Sequence, residues 1–165
     1  MWPERYLVDG YYDEKGQLRR EIIVEHAKQV ADMLAERGLT SASMRRFYSK
    51  VLGVTNKFRT LGNFDMVRPQ IDKLEADVAY AVKRGVVPPA FETFIQKNVR
   101  LATVSQQGLL GFFQHFQSVV AFSPNTEGGG QRSHGNSGNR RPDKPYGGAS
   151  YSKDNHFNKN QPTRR

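Results

Sequence analysis

Four histidines and one short run of carboxylates are the residues of this chain best suited to chemistry. His26 and His115 fall in stretches of helical period, with no acidic or cysteine ligand pattern beside them. His134 and His156 lie in a polar C-terminal stretch. A histidine isolated in this way is ordinarily packed or solvated, not a metal ligand or a general base. The run "DKLEAD" sets Asp72, Glu75 and Asp77 together, and paired carboxylates can hold Mg²⁺ or exchange protons. Arg68 and Lys73, however, stand four residues ahead of Asp72 and Asp77, the spacing of ion pairs along a helix surface. Cysteine is absent, which excludes disulfides, thiolate metal sites and cysteine nucleophiles and fits a reducing cytosol. The "GGG" at 128–130 has no strand pattern before it and no helix pattern after it, so it does not read as a phosphate loop. The expectation is a protein with no active site, no metal and no cofactor.

Cations offer a different chemistry. The net charge is +9 and the isoelectric point about 9.9, a balance that favours polyanionic partners: RNA, DNA or an acidic protein. The charges are unevenly mixed. Arg19, Arg20, Lys28 and Arg37 are matched by Glu21, Glu25, Asp32 and Glu36. Between Glu36 and Asp65 no acid occurs, yet Arg37, Arg45, Arg46, Lys50, Lys57 and Arg59 do. A merely solvated helix mixes both signs. At about 100° per residue, Met44, Phe47, Tyr48, Val51, Val54, Phe58 and Leu61 share an arc of roughly 140°, a core face. Arg45, Arg46, Lys50, Lys57 and Arg59 fall on the other side as a ridge about three turns long, with Ser49, Gly53 and Asn56 among them. Phe47 is expected in the core. Tyr48, at the edge of the arc, is open to packing or to base stacking. Gly53 either admits a partner close to the ridge or splits the helix. Lys83 and Arg84 make a second basic spot, equally placed to interact with a helix C-terminus. Contact through Lys and Arg alone reads phosphates rather than bases, so it is independent of sequence and sensitive to salt.

Helices must hold these residues. From Leu18 to Phe122 the apolar period is helical. A first helix is expected over about 18–37, with Ile23, Ala27, Val30, Ala31 and Leu34 inward. The second runs from a Thr40/Ser41 cap to Leu61. The third covers about 65–84, with Val67, Ile71, Leu74, Val78 and Ala81 inward and Pro69 in its first turn or at a kink. The fourth covers about 90–102, carrying Phe91, Phe94, Ile95, Val99 and Leu101 or Ala102. The fifth follows Ser105 and carries Leu109, Phe112, Phe113, Phe116, Val119 and Val120. Short links between five helices imply an all-α bundle over residues 18–122. Residues 1–17 carry turn signals at Asp9-Gly10 and Lys15-Gly16, and read as a short hairpin or extended arm. Residues 123–165 have no apolar period and are rich in Gly, Asn, Ser and Arg. They read as a disordered basic tail, able to hold single strands loosely or to act as a solubilising extension. There is no apolar run long enough to span a membrane, and charges occupy the N-terminal stretch where a signal peptide needs an apolar core. A soluble cytoplasmic protein with no membrane contact is expected.

Four segments, "GYYDEKGQLR", "LTSASMRRFYSKV", "KLEADVAYAVKRG" and "LLGFFQHFQSVVAF", resemble in this order the small helical subunit of type III-A CRISPR effectors, the Csm complex. The resemblance covers about residues 10–122. It implies a small all-α protein without enzymatic activity, several copies of which line a helical ribonucleoprotein filament. The implied partners are the backbone and large subunits, copies of the chain itself and the target RNA, which is held along the guide through its backbone. Cleavage belongs to other subunits. The match to the family's arginine motif makes Arg45 and Arg46 candidates for nucleic-acid contact; Lys50, Lys57 and Arg59 join them on wheel geometry. Tyr80 and Arg84 match the family's Tyr/Arg positions, as packing or binding residues. Gln117 stands where the family carries an acid in its last helix, and residues 123–165 lie outside the family pattern. A reading of another class remains beside this one: a helical protein–protein adaptor whose basic face meets an acidic partner and no nucleic acid.

Overall fold

A hydroxyl residue ahead of an apolar run starts two of the helices. Thr40 Oγ1 accepts from the Ser43 N–H at 3.2 Å, and Ser105 Oγ from the Gly108 N–H at 3.0 Å. Each satisfies a backbone donor that has no partner within its helix. The structure, a computed structural model, describes residues 1–124. Among them five helices run in order: α1 (Ala27–Glu36), α2 (Ser41–Leu61), α3 (Arg68–Lys83), α4 (Pro89–Ala102) and α5 (Gln106–Phe122). The all-α expectation is met, with no strand among the described residues. The expected disordered tail lies, from residue 125 onward, outside them. α2 ends at Gly62, whose φ of 66° lets its N–H close on the Phe58 carbonyl at 2.8 Å. Gly53 does not interrupt α2.

α1 differs from the sequence expectation in its register. Helical structure begins at Arg20, and a π-helical turn, Ile22–His26, leads into α1. A strict 3.6-residue period pairs Ile23 with Ala27 in the core. The wider turn inserts an extra residue, so Ile22 is 1% exposed while Ile23 is only half-buried.

α5 is central, packing on α1, α2 and α4, while α3 lies chiefly on α4 and only lightly on α2. Aromatic rings fill the middle. Phe116 stacks on Phe112 with centroids 5.8 Å apart and meets Phe94 edge-on at 5.0 Å.

The N-terminal arm is part of this core. Tyr12 and Leu18 form an isolated antiparallel bridge, the expected short hairpin reduced to its minimum. Tyr6, Leu7 and Tyr11 are buried, although no sequence pattern marks them as core. Arg5 and Leu7 hold left-handed backbone angles, φ 52° and 61°, a strain offset by the burial of Tyr6 and Leu7. Tyr11 reaches α5 because Gly111 has no side chain: a β-carbon there would lie 2.4 Å from the Tyr11 ring.

Hydrogen bonds complete the docking. His115 Nδ1 donates to the Ile22 carbonyl at 2.9 Å, and Nε2 then accepts from the Tyr6 hydroxyl at 2.7 Å. Asn98 Nδ2 donates to that hydroxyl at 3.2 Å and to the Phe94 carbonyl at 2.8 Å. Asn98 Oδ1 accepts from the Tyr11 hydroxyl at 2.7 Å. Burial pushes the His115 ring down to about 4; its bond to Ile22 opposes the shift and the nearby His26 adds to it. Burial also raises both tyrosine hydroxyls.

Candidate nucleic-acid interface

α2 is held from one side by rings. Phe47, 4% exposed, meets Phe91 edge-on at 5.2 Å. Tyr48 stacks on Phe113 at 6.0 Å and meets Phe116 edge-on at 5.8 Å, so its ring belongs to the packing against α5. Met44, Val51 and Val54 complete the buried face, while Leu61 is exposed. The other face is solvent: Arg45, Arg46, Ser49, Lys50, Gly53, Asn56, Lys57 and Arg59 are all exposed.

The cations divide between two flanks of this face. Arg59 sets its guanidinium 5.2 Å from the centroid of Phe113 on α5. Lys50 turns the opposite way and pairs with Asp77 on α3. Asp77 thus reaches across to α2 rather than back along its own helix to Lys73. Between the flanks run Ser49, Gly53 and Asn56, so the crest of α2 is uncharged and small. A β-carbon at Gly53 would meet nothing within 4 Å. Arg45 is exposed and lines a shallow niche with Ser41, Met44, Val120 and Ser123.

The second basic spot joins the first. At about 100° per residue Asp77, Tyr80, Ala81 and Arg84 share one arc of α3. That arc faces α2 and, with Ser43, Arg46, Phe47, Lys50 and Val86, lines a cleft of about 180 Å³. Tyr80 is 63% exposed, and the Arg84 guanidinium lies over its ring at 5.6 Å from the centroid. Arg46, Lys50 and Arg84 therefore come together. Lys83 is exposed in the last turn of α3 and does not line the cleft. Asp77 is the cleft residue that the linear charge pattern leaves out. Its spacing of three and seven from Tyr80 and Arg84 is the signal that groups the three.

His26 and His115 are buried and apart from this face. Among the described residues no three His, Asp or Glu side chains converge as metal ligands would. Nor is any described helix long and apolar enough to cross a membrane.

A small all-α bundle with one long cationic helix laid open to solvent is the class of protein defined so far. The family model described as Csm2 Type III-A matches residues 17–127, and the chain belongs to that family. Membership makes it a small subunit of a type III-A CRISPR Csm complex. Neither the curated proteins nor the solved structures contain a match.

Proposed function

We propose that the chain is a non-catalytic subunit that holds target RNA in the Csm complex by contacting its backbone, without reading its sequence. It lines the filament beside the backbone and large subunits and further copies of itself, in the cytoplasm. The observation that carries this reading is the exposed face of α2, with Arg45, Arg46, Lys50, Lys57 and Arg59 and no acid from residue 37 to 64. Lys83 and Arg84 extend it from α3. Exposed Lys and Arg neutralise phosphates and release counterions, which gives affinity without specificity. The small residues of the crest let a strand lie close to the helix.

The test is a complex assembled with Arg45, Arg46 and Lys57 changed to Glu. All three residues are exposed, and a complex that still assembles shows that the fold tolerates the change. Target-RNA binding should weaken, and the slope of log affinity against log salt should fall by about 0.7 for each lost contact to a single strand. Unchanged binding in a complex that still assembles would refute RNA contact and favour an adaptor that meets an acidic protein.

A further inference from the structure

We propose that the cleft between α2 and α3 accepts one unpaired nucleotide of the bound RNA, its base stacked on Tyr80 and its phosphate between Arg46 and Arg84. The proposal rests on the RNA-contact reading and adds what that reading lacks, a place for a base.

The cleft exists because α3 lies on α4 and touches α2 only lightly. Two ties hold the gap at a set width. Ser43 Oγ donates to the Val86 carbonyl at 3.3 Å, and Lys50 pairs with Asp77. The ties are two turns apart on α2, about 10 Å along its axis. The window between them has a volume of about 180 Å³. Whole small-molecule sites run from about 300 to 1,000 Å³, so this one suits a single ring system.

Its chemistry is that of a nucleotide site. Tyr80 is the one tyrosine among the described residues with most of its surface in solvent: Tyr6 and Tyr11 are buried, and Tyr12 and Tyr48 are half-buried. An arginine over an exposed tyrosine four residues away is by itself an ordinary surface pair on a helix. Here a second arginine, Arg46, enters from another helix. The one carboxylate of the cleft, Asp77, is matched by Lys50. Among the described residues neither Arg46 nor Arg84 has an ion-pair partner. An aromatic face beside two unmatched guanidinium groups fits a base with its phosphate. Stacking is tolerant of base identity, so the site keeps the sequence independence of the surrounding surface.

The experiment crosses a protein variant with a strand variant. Tyr80→Leu keeps an apolar side chain at an exposed position and removes the π face. Wild-type and Tyr80→Leu complexes are assembled and bound to target RNAs in which one base at a time is replaced by an abasic site. In the wild-type complex, abasic sites at the cleft should weaken binding about tenfold more than the same sites do in the Tyr80→Leu complex. In the Tyr80→Leu complex the intact strand should lose about tenfold, and the extra sensitivity at those positions should vanish. Equal binding of the intact strand by both complexes, or an abasic profile unaltered by Tyr80→Leu, would overturn the proposal. The Arg45, Arg46 and Lys57 reversals separate the two failures. If they weaken binding while Tyr80→Leu does not, backbone contact stands without a base site; if neither does, both readings fall.

Discussion

Gly111→Ala should destabilise the protein, although alanine is the better helix former by about 1 kcal/mol. The new β-carbon would lie 2.4 Å from Tyr11 Cδ2, 2.5 Å from Cγ and 2.8 Å from Cβ. Those atoms are the root of a buried ring, not the end of a flexible side chain, so Tyr11 must leave its place. Overpacking of this kind costs about 1–3 kcal/mol. Displacing Tyr11 also breaks its 2.7 Å bond to Asn98 and strands a buried carbonyl oxygen, for about 1–3 kcal/mol more. Against the gain in propensity the net loss is about 3 kcal/mol. Urea denaturation of the full chain, followed by circular dichroism, measures it. The decisive result is a sign. Tyr11→Gly removes all three of these atoms, and in that background Gly111→Ala should stabilise by up to about 1 kcal/mol. An osmolyte such as trimethylamine oxide keeps the weakened background folded. If Gly111→Ala costs the same in both backgrounds, the arm does not dock on α5 and this account of the fold is wrong.

Two further predictions concern charge. His115 is held down to about 4 from an ordinary 6.5, so between these values the unfolded chain takes up a proton that the folded chain refuses. Stability from this group is therefore full above pH 6.5 and declines as the pH falls to about 4, by about 3 kcal/mol in all. Denaturation midpoints measured across that window should show the decline, and His115→Gln should lose its share of the slope; equal slopes would refute the assignment. Asp77→Asn removes the one carboxylate of the α2–α3 cleft and releases Lys50. Loss of this tie loosens the cleft while it frees a cation, so the salt slope is the readout: with Lys50 released to the RNA, the slope for target-RNA binding by the assembled complex should steepen by about 0.7. An unchanged salt slope, with assembly intact, would place the RNA elsewhere.

The helices of the bundle were legible because their signals are local. Thr40 and Ser105 mark starts, Gly62 marks a stop, and the aromatic period of α5 shows which side is buried. Two features of the fold depend on distant partners and were not. The π-helical turn puts Ile22 where a regular period puts Ile23, and the Ile22 carbonyl is bonded by His115, 93 residues further along the chain. Tyr6, Leu7 and Tyr11 lie in a stretch too short for any period. The burial of Tyr6 and Tyr11 follows from Asn98, Gly111 and His115, which accept them.

The candidate interface divides in the same way. A helical wheel puts Phe47 inside and the five cations outside, as the structure has them, but it also puts Leu61 in the core arc, and Leu61 is exposed at the end of α2. It does not say which helix flanks each edge. Lys50 and Arg59 share a solvent face on the wheel, yet one is drawn to a carboxylate on α3 and the other to a ring on α5. The acid-free run from 37 to 64 is a property of the chain, and the charge met by a ligand is a property of the fold. Asp77, far outside that run, neutralises one of its cations. Arg84, equally far outside, supplies another beside Arg46. The face therefore stays cationic, but its centre shifts from the crest of α2 towards the α2–α3 cleft. There an exposed aromatic stands beside the charges, which on the crest of α2 have only Ser49, Gly53 and Asn56 between them.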